Sequence, residues 1–179
     1  MSCTHIAADL GLDPTQVRKD LAVTGIIGKP KIGYDLQALV GAIETYLGWN
    51  NVTDAFLVGV GSLGRALLGY QGFAAYGLNI VAAFDCDPAK VGKVVHGKQV
   101  LPVEKLVSLT QRMKVRIGVL TVPAASGQVA ADLMVRAGIV AIWNFSTAQL
   151  EVPAGVIVEN VDLSASLAVL SRKLAEALR

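Results

Sequence analysis

Phe56-Leu57-Val58-Gly59-Val60-Gly61-Ser62-Leu63-Gly64 is an apolar run that breaks into three glycines spaced Gly-x-Gly-x-x-Gly, and a second apolar run, 78–84, ends on Asp85. The first run reads as a buried strand that turns on glycine into a helix, expected over 62–76. Such a junction leaves backbone N–H groups and the positive helix end facing an anionic pyrophosphate, with no side chain between. Gly59 permits the tight turn, Gly61 the close approach of main chain to phosphate, and Gly64 the close packing of helix on sheet. Ser62 and Leu63, at the helix start, join these glycines in the expected cofactor set. An acid at the end of the second strand, about 20 residues on, completes the pattern. The Asp85 carboxylate accepts from a ribose 2′-hydroxyl and repels a 2′-phosphate, so the expected cofactor is NAD(H) rather than NADP(H).

Beyond Asn51 the chain alternates strands and helices. Strands are expected at 115–122, 139–143 and 156–158, and helices at 103–113, opened by Pro102, and at 125–137, stopped by Gly138. That alternation implies a Rossmann-type α/β fold, a doubly wound parallel sheet covered on both faces. Ligands of such sheets lie at the carboxyl ends of the strands, which brings Val122, Pro123 and Ala124, with Asn144 and Phe145, to the rim that carries Gly59.

The 179 residues are 53% hydrophobic and 17% charged, enough for one nucleotide domain with a small attachment. A mean hydropathy of +0.53 is high and points to a subunit interface. No apolar run reaches the about 18 residues of a membrane span, and the N-terminus has no charged-then-apolar signal pattern. A cytoplasmic location with no membrane partner is expected. Cys3 and Cys86 have no metal-ligand spacing and read as ordinary thiols of a reducing compartment.

The first fifty residues follow another grammar. Ser2 caps a short helix containing Ile6, Ala7 and Leu10, Gly11 turns the chain, and Asp13 and Pro14 start a second helix, 14–23. This is a helix-turn-helix pattern in which Leu10, Val17 and Leu21 fill the angle between the helices and Gln16, Arg18 and Lys19 point outward. Those three suit a DNA major groove, where Gln reads adenine and Arg reads guanine or phosphate. Residues 25–34, two short apolar runs about the basic tip Lys29-Pro30-Lys31, read as a hairpin wing whose lysines touch phosphate. Up to Tyr34, four basic residues stand against three acidic ones. A single module is therefore expected to bind DNA weakly, and a dimer presenting two is needed for useful affinity.

Several strings are far more specific than the glycine pattern. Gln16-Val17-Arg18-Lys19-Asp20-Leu21, Ile32-Gly33-Tyr34-Asp35, Val58-Gly59-Val60-Gly61-Ser62-Leu63-Gly64-Arg65-Ala66-Leu67 and Tyr70-Gln71-Gly72-Phe73 are four of them. With Ala83-Phe84-Asp85-Cys86-Asp87-Pro88, Val122-Pro123-Ala124, Asn144-Phe145 and Asn160-Val161-Asp162-Leu163-Ser164, the chain resembles the redox-sensing transcriptional repressor Rex family across nearly its whole length. The resemblance implies a homodimer that senses the NADH/NAD ratio. A winged helix holds operator DNA when NADH is low, and NADH binding rearranges the dimer and releases it, without chemistry on the cofactor. It also implies a C-terminal helix exchanged between subunits near the partner's nicotinamide pocket, with Tyr70 and Asp162 as couplers and Pro123 and Phe145 near the nicotinamide. The residues themselves support such an exchange, because Leu163, Leu167, Leu170, Leu174 and Leu178 form a helical stripe with no later element of the chain to cover it. The expected organisation is 1–50 winged helix and linker, 51–160 NAD(H)-binding domain, and 161–179 swapped dimerisation helix.

The chain departs from the family pattern at its DNA-reading end. Family members carry another helix before the segment that starts here at Ser2, so Ile6, Leu10 and Leu21 are expected to lack that cover. Ala22-Val23-Thr24-Gly25 replaces a Ser-Tyr-Phe-Gly stretch, and Pro30-Lys31 stands where Arg-Gly is usual. These changes remove hydroxyls and a guanidinium that contact phosphate.

Two other classes stay open on the residues alone. An NAD-dependent oxidoreductase needs an acid or base beside the hydride acceptor, but His5 falls in the helix-turn-helix segment, His96 in a loop, and no tyrosine has lysine four residues on. A non-enzyme is expected. A CoA-type nucleotide-binding subunit uses the same glycine turn, and Asp85 disfavours it only mildly. Gly92-Lys93-Val94-Val95-His96-Gly97-Lys98-Gln99 mimics a phosphate loop but has Gln99 where a hydroxyl is required.

Overall fold

The computed structural model describes residues 1–29, 32–47 and 53–178. The chain divides into two compact units, Met1–Val52 with Gly72–Leu78, and Thr53–Gln71 with Asn79–Arg179. The expected boundary near residue 50 lies outside the described residues, as do Pro30 and Lys31 of the wing tip.

In the N-terminal unit, α1 (Cys3–Leu10) starts where the His5 N–H donates to Ser2 Oγ at 3.2 Å and ends on Gly11 in the left-handed conformation, φ 66°. The second helix, α2 (Pro14–Ala22), is capped by Asp13, whose Oδ1 accepts from the N–H groups of Thr15 and Gln16 at 2.8 and 3.1 Å. Ala7, Val17, Leu21 and Leu39 form the core of this unit, with Ile6, Ile26, Tyr34 and Ile43 packed around them. Leu39 comes from α3 (Leu36–Tyr46), capped by Asp35. Leu10 does not fill the helix angle as expected: it is 65% exposed, and the small Ala7 takes the buried place. Leu21, expected to lack cover, is buried against this cluster. The wing is shorter than the two apolar runs imply. Lys29 and Gly33 exchange both backbone hydrogen bonds at 2.8 Å in a single antiparallel bridge, and Ile27 and Ile32 stand exposed.

The second unit is built on a seven-stranded sheet. Its strands are β1 (Thr53–Val58), β2 (Leu78–Asp85), β3 (Val94–Val95), β4 (Lys98–Pro102), β5 (Ile117–Leu120), β6 (Ala141–Asn144) and β7 (Ile157–Asn160). They lie in the order β3-β4-β2-β1-β5-β6-β7. Pairing is parallel for β2/β4, β1/β5, β5/β6 and β6/β7, and antiparallel for β3/β4. Apart from the small hairpin partner β3, this is the doubly wound order, with its switch point between β1 and β5. The helices are α4 (Ser62–Gly69), α5 (Leu106–Met113), α6 (Ala124–Ala137) and α7 (Leu163–Ala177).

Burial explains the strand composition. Ala55, Phe56, Leu57 and Val58 are all inaccessible or nearly so, as a strand covered on both faces must be. Phe56 and Phe84 meet edge to face across β1 and β2, ring centroids 5.1 Å apart, and anchor a cluster that includes Leu106, Leu120, Met134 and Ile142.

One expectation is corrected here. The helix expected over 62–76 stops at Gly69: Tyr70 takes extended angles, φ −78° and ψ 107°, and a 3-10 stretch, Gln71–Tyr76, follows. Gly69 and Gly72 flank the break, and glycine is a poor helix former. His96 lies in a connection between strands, as expected. It begins a two-residue turn with Gly97, both at positive φ, 48° and 77°, that joins β3 to β4 and disposes of the phosphate-loop mimic.

Candidate functional site

The switch point sets the site. The Gly59 N–H donates to the Phe84 carbonyl at 2.8 Å, which ties the end of β1 to β2. Thr121, after β5, donates its hydroxyl to the Gly59 carbonyl at 2.6 Å. Gly59 has φ +100°, and a Cβ there would lie 2.9 Å from the Thr121 backbone. A Cβ on Gly64 would land on the Gly59 carbonyl oxygen, so this glycine lets α4 lie close to the strand. Gly61 differs from both. A Cβ on it meets nothing within 4 Å, so the space it fronts is open.

That space belongs to a cavity of about 570 Å³ whose wall includes Gly59, Gly61, Asp85, Lys90, Val122 and Pro123. A cavity of this size, at the carboxyl ends of parallel strands, suits a cofactor. The N-terminus of α4 carries no side-chain cap, so its first N–H groups are not taken by a side chain and its positive end faces the glycine turn. Ser62, Leu63 and Gly64 form that first turn, and Ala124 opens α6 directly after Pro123. These features fit a dinucleotide: uncapped amides for the pyrophosphate and a carboxylate for a ribose.

Asp85 is 6% exposed and closes β2. Its Oδ2 accepts from the Val60 N–H at 2.7 Å and from the Lys90 ammonium at 3.0 Å, and its Oδ1 accepts from the Asp87 N–H at 2.9 Å. Burial alone would raise this carboxyl, but the Asp87 and Val60 amides and the Lys90 cation outweigh it and hold the group below the ordinary aspartate range. Asp85 is therefore ionised at neutral pH and fastens the glycine turn as well as facing the cavity.

The remaining expected cofactor residues lie outside this cavity. Asn144 is fully buried and donates to the Ala148 carbonyl at 3.1 Å and to Asn160 Oδ1 at 2.8 Å, while its own Oδ1 accepts from the Ser146 N–H at 2.9 Å. It pins the loop after β6. Phe145 packs its ring on Trp143, centroids 4.7 Å apart. Asp162 caps α7, accepting from the Ser164 hydroxyl and from the Ser164 and Ala165 N–H groups, which lower its pKa. It borders a second cavity of about 350 Å³ with Ser146, Thr147 and Asn160. Tyr70 sits half-exposed at the end of α4. None of these four residues lines the larger cavity.

Lys90 and Thr121 were missed by reading the sequence. Lys90 follows Asp85 by five residues in a turn held by Asp87, and nothing in that spacing marks an ion pair in advance. Thr121 falls inside the apolar run 115–122, where a hydroxyl in a strand end was the available signal.

In the N-terminal unit Gln16, Arg18, Lys19 and Lys29 are exposed. Gln16 donates to Asp20 Oδ1 at 2.7 Å one turn along α2, so reading a base requires it to leave that acid. Lys31 lies outside the described residues. Among the described residues no group of three or more His, Cys, Asp or Glu is placed to hold a metal, and no helix is long and apolar enough to cross a membrane. Cys3 and Cys86 carry free thiols.

Comparison with known proteins adds to this geometry. Residues 50–148 match the family described as CoA binding domain. A redox-sensing transcriptional repressor Rex of Treponema denticola is 51% identical over 170 residues, covering 95% of this chain and 81% of the relative. Among solved structures, RSP in complex with β-NAD+ and operator DNA superposes with a TM-score of 0.92 at 36% identity, over 99% of this chain and 82% of that one. RSP in complex with β-NADH gives 0.89 at 35% identity, over 99% and 83%.

Proposed function

The chain belongs to the redox-sensing transcriptional repressor Rex family, and from that premise we infer that it is a DNA-binding repressor that senses NADH. The observation that carries the reading is that the similarity spans both units, the helix pair and the glycine turn, over 95% of the chain. RSP, similar over 99% of this chain, has been solved with β-NAD+ and operator DNA and with β-NADH.

The parts take roles their chemistry suits. The N–H groups at Gly61, Ser62 and Leu63 hold the pyrophosphate, Asp85 takes a ribose hydroxyl, and Val122, Pro123 and Ala124 flank the cofactor. Tyr70, Asn144, Phe145 and Asp162 belong to the nicotinamide end, completed by a second subunit. The protein works as a cytoplasmic homodimer without catalysis. Residues 1–50 read operator DNA through Gln16, Arg18, Lys19, Lys29 and Lys31, 51–160 bind NAD(H), and 161–179 join the subunits. NADH releases the dimer from DNA, whereas NAD leaves it bound.

A gel-shift titration of a palindromic DNA library tests this, with NADH, NAD and coenzyme A added separately. Retention with NAD and coenzyme A and loss with NADH is the expected pattern. A purified protein that binds no DNA sequence at low salt in the absence of NADH, or that turns over NADH with small carbonyl compounds, overturns it.

A further inference from the structure

We propose that Lys90 is a specificity-determining residue of the nucleotide cavity, a cation that holds an acceptor position of Asp85 until a ribose hydroxyl displaces it. The proposal rests on the cofactor reading above and adds a competitor within the site.

A carboxylate offers about four acceptor positions. On Asp85, Oδ2 serves the Val60 N–H at 2.7 Å and the Lys90 ammonium at 3.0 Å, and Oδ1 serves the Asp87 N–H at 2.9 Å. Two adjacent ribose hydroxyls therefore find one position open where they need two. Of the three donors, two are main-chain amides. The Val60 amide belongs to the glycine turn, and the Asp87 amide lies in a turn closed by the Ala89 N–H on Asp87 Oδ1 at 2.9 Å and the Lys90 N–H on the Asp87 carbonyl at 2.9 Å. Neither can leave without unmaking the site.

The Lys90 head can leave. Its side chain is 39% exposed, its stem is flexible, and a second carboxylate, Asp87, lies 3.8 Å from Nζ. All three groups line the same cavity. Displaced by a hydroxyl, the ammonium stays at the cavity wall on the ribose side. There it partly offsets the repulsion between Asp85 and a 2′-phosphate. Lys90 thus weakens the hold on a 2′-hydroxyl cofactor and softens the rejection of a 2′-phosphorylated one.

Calorimetric titration of the full chain with NADH and with NADPH, in the wild type, Lys90→Met, Lys90→Arg, Asp85→Asn and a Lys90→Met/Asp85→Asn double variant, tests this. Lys90→Met is expected to bind NADH about threefold more tightly, the scale of one half-exposed ion pair, and to increase the preference for NADH over NADPH. Lys90→Arg should stay near wild type, and in the Asp85→Asn background the Lys90→Met gain should vanish. Loss of a merely structural residue does not tighten binding. Weaker or unchanged NADH binding in Lys90→Met, or a gain that persists without the Asp85 charge, overturns the proposal. A wild-type chain that takes up no NADH overturns the cofactor reading instead.

Discussion

Gly59 and Gly61 stand two residues apart in one turn, yet a side chain has opposite consequences at the two. At Gly59 the backbone has φ +100° and the Thr121 main chain fills the Cβ position, so Gly59→Ala should cost roughly 2–4 kcal/mol of unfolding free energy. At Gly61 the Cβ position is open, so Gly61→Val should leave the melting temperature within a few degrees of wild type while abolishing NADH uptake in a titration. An unchanged NADH titration in Gly61→Val would place the phosphate site elsewhere. Asp85 adds a pH dependence whose sign follows from its lowered pKa. Folding favours the ionised form, so this contribution is complete above the ordinary aspartate value of 3.8 and is lost as pH falls through the lower folded value. Urea unfolding between pH 7 and pH 3 should show stability declining below about pH 4. Asp85→Asn should flatten that decline, lower neutral-pH stability by roughly 1–3 kcal/mol through the weakened amide network, and relax the discrimination against NADPH.

Elements whose signals are local were legible in the sequence. Ser2, Gly11, Asp13 and Pro14 each act within one helical turn, and α1 and α2 begin and end where these residues stand. Asp13→Ala removes the acceptor for two amides and should lower the stability of the N-terminal unit by about 1 kcal/mol, read from the chemical denaturation midpoint, with NADH affinity unchanged. The parallel strands were legible for a similar reason: a strand covered on both faces must be apolar throughout, and 56–58, 80–84 and 117–120 are. What escaped depended on tertiary competition. Helical periodicity runs past Gly69 without a break, whereas the chain itself turns extended at Tyr70. Leu10 and Ala7 lie on one helix face, and only packing against α2 decides that the smaller residue goes inside. The β3/β4 hairpin leaves only a weak local mark, because the apolar Val94-Val95 before His96-Gly97 pairs with the polar Lys98-Gln99 after it. In the site, the glycine turn and Asp85 could be read because main-chain geometry dictates their residue types. Lys90 could not, because an ion pair across a turn leaves no periodic mark.

On the scale of the whole molecule, the decisive element is α7, whose Leu167, Leu170 and Leu174, with Leu178 directly after it, are all more than half exposed within one chain. Four leucines along one helix and its C-terminal cap offer far more apolar area than a lone surface helix ordinarily shows. Burial of such area is worth about 25 cal/mol per Å², so the second subunit proposed above has a large return for covering them. A dimer also answers the modest charge of the N-terminal unit: each helix pair engages few phosphates, and two held at fixed spacing engage twice as many. Introducing Leu170→Glu with Leu174→Glu places two charges in that stripe while leaving the sheet untouched. Sedimentation should then show a monomer with a native circular dichroism spectrum. Operator affinity should fall by at least an order of magnitude, and the slope of log affinity against log salt should shrink toward half, because half the phosphate contacts are gone. Residual DNA binding by this variant should no longer respond to NADH if, as proposed above, the response passes through the relation between two subunits. A doubly substituted chain that still sediments as a dimer and still releases DNA on adding NADH would move both the subunit contact and the switch away from α7.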